Sequence, residues 1–329
     1  MKRWHIVVAV VVVVLVGVML ALPAIIKKIV ESKLETIPGG YQGTIDHVEV
    51  RGLGSELALC GFTITKKNGQ IPVPFLRAKE FHLLTELDGW RLRNALRFVE
   101  PEFSFVDAES EAKKQKGPEQ TIETLRQKLP FELTRAEVID GKFHFRNYQT
   151  KPDMDLYAHG LNARWDKLFG CLPPGNSACR SNLRAEAKLM KSGSLEAKGR
   201  FARNPVNDFH VTAHLRGLRA QELNPFLNEY AKVKASKGVI ALDARYDRRG
   251  ERHDTLMIPL LDDIEVEKAE GEDTSFLRKV GAGIATGWFE RKKGEKGIAI
   301  TKKPNGKTEF EIVDKPNVHD PKDAKADDD

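Results

Sequence analysis

The chain has 329 residues, with 53 Lys and Arg against 47 Asp and Glu and a formal net charge of +6. Of residues 6–26, 19 are hydrophobic, and without that block the chain falls to roughly 38% hydrophobic content. That distribution argues against a cytosolic globular enzyme, and with no second stretch of spanning length it argues against a polytopic transporter. Gly, Cys and apolar content likewise exclude collagen-like, disulfide-dense and wholly disordered classes.

Residues 1–5 read as a short cytoplasmic N-terminus and residues 6–26 as a transmembrane signal anchor. As a helix the block is roughly 31 Å long, enough for a hydrocarbon core of about 30 Å. Lys2 and Arg3 precede it, with Trp4 at the interface position. A cleaved signal peptide has a shorter apolar region and a small-x-small site, and Leu22-Pro23-Ala24 is a poor one. Lys27, Lys28 and Lys33 follow the span closely, so charge alone nearly ties on orientation.

Residues 27–107 form a first β-rich segment. Lys27 to Thr36 reads as a short amphipathic helix ended by Pro38-Gly39-Gly40. Strands are expected at 43–50, 56–65 and 76–87, and through Val99, Phe103 and Phe105. The apolar phase in 56–65 switches from Leu57 and Leu59 to Phe62 and Ile64, which predicts a bulge at Cys60-Gly61 and makes Cys60 a buried strand residue. Asp88 to Leu96 reads as a short helix.

A charged linker at 108–118 separates this segment from the main β-rich segment, residues 119–313. A helix is expected at Thr121 to Leu129, then strands at 131–139, through Phe143 and Phe145, and at 155–165. Cys171 and Cys179 flank a turn-rich Leu-Pro-Pro-Gly-Asn-Ser-Ala loop that suits a disulfide; two unpaired thiols is the alternative. A bridge would place the segment in an oxidising compartment.

Period-two alternation then dominates. Leu183, Ala185, Ala187 and Leu189 alternate with charged residues, as do Leu195, Ala197, Gly199 and Phe201. Phe209, Val211, Ala213 and Leu215 continue the pattern, followed by Ile240, Leu242, Ala244 and Tyr246. These are half-buried antiparallel strands. Between them, Asn224 reads as a helix cap with Pro225 at the first position. Thr274 to Arg291 is the last expected helix, and 314–329 a disordered charged tail.

Chemistry is scarce. No Walker loop, Gly-x-Ser-x-Gly elbow or His-Glu-x-x-His is present, and Gly281 to Gly287 has the wrong spacing for a dinucleotide loop. His210 and His214 lie on one strand face about 13 Å apart, which suits solvated side chains rather than a shared metal. No metal site, no cofactor, no enzyme activity and no nucleic-acid partner is expected.

Three stretches resemble the AsmA-like proteins of Gram-negative envelopes, nearest the branch known only as a domain of unknown function. Pro130 to Asn147 is similar to the family's strand pair joined at an Asp-Gly turn, here Asp140-Gly141. Leu195 to Leu215 is similar to its strand hairpins, with Gly199 and Asn204-Pro205. Leu215 to Tyr230 followed by Lys237 to Tyr246 is similar to its helix-then-Gly-strand signature. With the arrangement of membrane span, short helix and one-sided strands, the resemblance extends over most of residues 1–290. The resemblance implies a single-pass protein of the cell inner membrane whose antiparallel, curved, groove-like β-sheet ectodomain, with a few short helices, lies in the periplasm. It further implies lipid handling in outer-membrane biogenesis, with phospholipid as a partner. Long members bridge two membranes, whereas roughly 14 strands here would stack only about 67 Å. The residues then expected to face lipid are Leu183, Ala185, Leu195, Phe201, Phe209, Val211, Leu215, Ile240 and Leu242; a closed core is the alternative use of the same residues. A membrane-anchored assembly or scaffolding factor binding envelope proteins is the alternative function.

Overall fold

The computed structural model describes residues 21–314, apart from 116–132, 168–179, 203–207, 269–295, 303–307 and a few shorter stretches. A helix, α1, runs through residues 21–34. It is followed by β1 (Tyr41–Thr44), β2 (His47–Arg51), β3 (Glu56–Lys66), β4 (Leu76–Asp88), β5 (Arg91–Val99) and β6 (Glu102–Asp107). Then come β7 (Leu133–Asn147), β8 (Met154–Asp166), β9 (Arg180–Leu189), β10 (Gly193–Ala202) and β11 (Phe209–Arg219). A helical corner at residues 220–231 leads to β12 (Val233–Arg249), β13 (Arg252–Lys268), β14 (Lys296–Lys302) and β15 (Thr308–Asp314).

All fifteen strands belong to one sheet, ordered largely as in sequence. Pairing is antiparallel except where β5 and β6 meet β7 in parallel. The parallel step needs a crossover connection, which is the chain between β6 and β7. The fold is therefore mostly β, as the alternation indicates. No helix among the described residues is long and apolar enough to cross a membrane. Most of the predicted 6–26 span lies outside the described residues. So do the expected helices at 121–129 and 274–291, Cys171, Cys179 and residues 315–329.

Four local expectations are corrected. The segment expected to form a helix at 88–96 is instead β5, paired along its length with β4. Leu92, Leu96 and Phe98 alternate with Arg91, Arg93 and Arg97 at period two, and that alternation overrides a short stretch of helix formers. The Asp140-Gly141 pair does not reverse the chain, because β7 is one strand. Asp140 has φ +51, while Gly141 has no positive φ. One left-handed residue within a continuous strand, with a register shift beside it, makes a bulge. The registers with β8 shift at that point, and the two halves of β7 face β5 and β6 in turn.

Asn224 makes no side-chain cap; the residue preceding the short helix is Leu223. Its amide instead mimics a strand, donating to the Ala235 carbonyl at 2.9 Å and accepting from the Ala235 N–H at 2.8 Å. That double bond ties the helical corner to β12. The corner also delivers Glu222, whose carboxylate accepts from the Lys191 and Ser192 N–H groups in the β9–β10 turn. Finally, the phase switch in β3 occurs without any register shift against β4. Gly61 takes φ +65, and Asp46 lies over its Cα.

The core is densest at the N-terminal end. Tyr41, Val48, Leu59, Phe62, Phe75 and Leu76 are buried together, with Ile26, Val30 and Leu34 of α1 packed on them. Tyr41, Phe103 and Phe105 each place a ring 5.3 to 6.4 Å from that of Phe75. Lys27 donates to the Asp46 carbonyl at 2.6 Å and fixes α1 over β2. The opposite side of α1 leaves Ile25 and Ile29 more than half exposed. Within the predicted 108–118 linker, Ala108 and Gln115 are buried, and hydrogen bonds from β5 and β6 to β7 cross the seam. A smaller cluster of Met190, Leu215 and Leu218 lies beneath the helical corner.

Gly61→Ala is expected to destabilise the protein by about 1–3 kcal/mol, because an L-residue is strained at that φ and its Cβ would meet Asp46. Denaturant unfolding of the variant beside the parent checks it.

Candidate functional site

Residues paired across strands share a face, so the registers define what lines each side of the sheet. All nine residues expected to face lipid lie on one face. Leu183 pairs with Gly199 and Gly199 with Val211; Ala185 pairs with Ala197. Leu195 pairs with Leu215 and Leu215 with Leu242; Phe201 pairs with Phe209; Ile240 pairs with Leu218. Leu215 is buried, and the other eight are half-buried. The expected alternation is thus present, and the face is partly open to solvent.

A row of small residues runs through this face that the sequence reading did not single out as a site. Ala163 of β8 pairs with Ala185 of β9, then with Ala197 of β10, Ala213 of β11 and Ala244 of β12. Five strands at about 4.8 Å make a lane about 19 Å long, perpendicular to the strands. All five alanines are half-buried. Larger side chains border most of the lane, interrupted by Ala187 on one side and Gly199 on the other. One border is Leu195, Leu215 and Leu242. The other is Trp165, Leu183, Val211 and Tyr246, and the rings of Phe201 and Phe209 in the next row join Trp165 to Tyr246 in an aromatic ladder. Trp165 and Phe201 have ring centroids 4.5 Å apart, Phe201 and Phe209 5.4 Å, and Phe209 and Tyr246 5.2 Å.

The lane ends where its row meets bulk. Towards the N-terminus, Ala163 pairs with Val138, Val138 with Phe98, and Phe98 packs on Phe81 at 4.8 Å in the dense core. Towards the C-terminus, Ala244 pairs with Met257 and Met257 with the buried Ile298. A cavity of about 470 Å³ spans β7 to β10; Val138, Ala163, Ala185 and Ala197 line it together with Glu137, Arg164, Arg184, Glu186, Glu196 and Lys198, whose side chains belong to the opposite face. Alanine at one position of each strand is unremarkable in a single strand's pattern, and the lane emerges only once registers are known.

The opposite face is polar. His210 and His214, expected to be solvated, are in fact half-buried and paired across to β12. His210 Nδ1 lies 2.6 Å from Asp247 and His214 Nδ1 2.7 Å from Asp243, which also takes Arg216. The cause is register: both histidines sit directly opposite these aspartates. Burial works against ionisation of Asp243, but hydrogen bonds from His214 and Arg216 outweigh it and hold the carboxyl below its usual range. Asp247 is held down against burial by the His210 hydrogen bond and the charges of His210 and Arg245. The two faces thus differ in kind: charge is neutralised on one, and apolar surface is left half-exposed on the other.

No protein-family model matches the chain, and no curated protein matches it.

A carboxyl whose pKa is lowered by folding contributes stability above its unfolded pKa, near 3.9, and loses it as pH falls through the folded value. Stability is therefore expected to fall on acidification below about pH 4. The double variant Asp243→Asn with Asp247→Asn should start lower at neutral pH and show a shallower acid loss, measured by denaturant unfolding between neutral and strongly acid pH.

Proposed function

We propose that the alanine lane binds a lipid acyl chain and that the sheet is the ectodomain of a membrane-anchored lipid-handling protein. The observation that carries this reading is the lane itself. It is half-exposed, floored by five alanines on adjacent strands, bordered along most of its length by larger apolar side chains and closed at both ends by bulk. A hydrocarbon core about 30 Å thick holds two chains end to end, so one chain spans about 15 Å, within the lane's about 19 Å. Alanine gives the floor depth without a branch to obstruct an extended chain. Burying an acyl chain there gains about 25 cal/mol for each Å² removed from water, while its head group stays among the polar side chains at the rim.

The rest of the chain is consistent with this use. The apolar block 6–26 leads into α1, which docks on the N-terminal core and leaves Ile25 and Ile29 exposed beside it. The resemblance to AsmA-like proteins supplies the location: a single-pass anchor in the inner membrane, with the curved sheet forming a groove in the periplasm. It also supplies the process, outer-membrane biogenesis, in which lipid would be held or passed on. The mechanism asks for no bond-making chemistry, only shielding of hydrocarbon.

The test is photocrosslinking in the intact chain embedded in phospholipid membranes. A photoreactive residue placed at Ala197 or Val211 should form lipid adducts, and the same residue at Lys198 or Thr212 on the other face should not. Protein adducts from Ala197 and Val211 without lipid adducts would replace this reading with a scaffolding one.

A further inference from the structure

A second cluster, far from the lane in sequence, occupies the polar face of β2, β3 and β4. Cross-strand pairing arranges it as a grid. His47 lies opposite Cys60, and Cys60 opposite Glu80. Glu49 lies opposite Ala58, and Ala58 opposite His82, while Arg51 lies opposite Glu56. Ala58 is fully buried although it sits on this outward face, because the longer side chains around it close over it. His47, Glu49 and Cys60 each bring one donor atom to within 4.8 Å of the other two.

Two features surround this donor set. Three carboxylates converge on one guanidinium: Arg51 lies 2.6 Å from Glu49, 3.4 Å from Glu56 and 3.5 Å from Glu80. Beside them, His82 is only 5% exposed and its Nε2 makes no hydrogen bond, although Glu80 Oε2 is 2.8 Å away. Its other nitrogen contacts Glu56 at 2.7 Å. Three carboxylates, one guanidinium and two imidazoles are thus gathered around Cys60.

We propose that His47, Glu49 and Cys60 form a metal site for a zinc-class divalent ion. A tetrahedral zinc ion, with nitrogen and oxygen ligands at about 2.0–2.1 Å and sulfur at about 2.3 Å, sets its ligands roughly 3.3–3.6 Å apart. His47 Nε2 and Glu49 Oε1 are already 3.1 Å apart. Glu49 divides its oxygens usefully: Oε2 is taken by Arg51, and Oε1 faces His47. One sulfur, one imidazole and one carboxylate suit a borderline-soft ion better than calcium or magnesium, which prefer all-oxygen sets. Arg51 orients the ligating carboxylate as an outer-shell partner does. His47 is exposed, so the fourth position opens to water.

Without metal, burial and then the charges of Glu49 and Glu80 push the Cys60 thiol up. On binding, the S–H bond breaks, the proton leaves to solvent and the sulfur lone pair forms the bond to the ion. The site is independent of the lipid reading, and neither needs the other.

The experiment uses the full chain carrying Cys171→Ser and Cys179→Ser, so that Cys60 is its only thiol. Cobalt(II) is titrated as a spectroscopic probe, followed by zinc in competition with a chromophoric chelator. One equivalent should bind with a thiolate-to-cobalt charge-transfer band. Cys60→Ser should abolish the band, and His47→Ala, a surface change, should weaken zinc binding by at least about tenfold. No stoichiometric binding, or an affinity unchanged in His47→Ala, would overturn the site.

Discussion

Cross-strand register from β7 to β13 decides which side chains share a face, and most of what distinguishes this protein follows from that pairing. A fifteen-stranded sheet satisfies its backbone from one edge towards the other without a second layer. It must still do something with the apolar side of each strand. At the N-terminal end, α1 and the rings around Phe75 cover that side, and Leu59, Phe62 and Leu76 are buried there. In the middle, Leu215, Leu218 and Met190 are buried beneath the helical corner, and Ala187 is buried beside Leu195. The remainder of the face keeps Leu195, Val211 and Leu242 half-exposed.

Side-chain size along one row turns this difference into a candidate site. The row that reads Leu59, Phe81 and Phe98 in the closed region reads Ala163, Ala185 and Ala197 in the open one. Large residues fill space and bring neighbours into contact, whereas alanines on adjacent strands leave less side-chain volume above the sheet. On the polar face, cross-strand His–Asp and Arg–Asp pairs join β11 to β12.

Much of this was legible in the sequence. Alternation in 183–189, 195–201, 209–215 and 239–246 located β9 to β12 and assigned their apolar side correctly. The phase switch across Cys60 and Gly61 was visible as well. Other features were hidden because they depend on partners distant in the chain. The segment 88–96 reads as helix until β4 is known to lie beside it. Asp140-Gly141 reads as a turn until β7 is known to run through it. Asn224 looks like a cap, but the peptide group of Ala235 competes for its amide and wins both bonds. β13 was unexpected because its buried residues, Leu256, Ile258 and Leu261, do not keep a single phase. The alanine lane and the His47, Glu49 and Cys60 cluster are register effects, and no local window contains them.

The central claim is that the lane is open space for a chain of hydrocarbon and not part of a packed interior. Ala197→Phe in the full chain tests it most directly, with Ala78→Phe as the reference, since Ala78 is only 1% exposed within the N-terminal core. Bound phospholipid, quantified by mass spectrometry, is measured beside thermal unfolding of the same preparations. The lane account predicts that Ala197→Phe removes most bound lipid at nearly unchanged stability, while Ala78→Phe loses the about 1–3 kcal/mol expected of overpacking. An Ala197→Phe protein as destabilised as Ala78→Phe, with lipid content equal to the parent's, would contradict it.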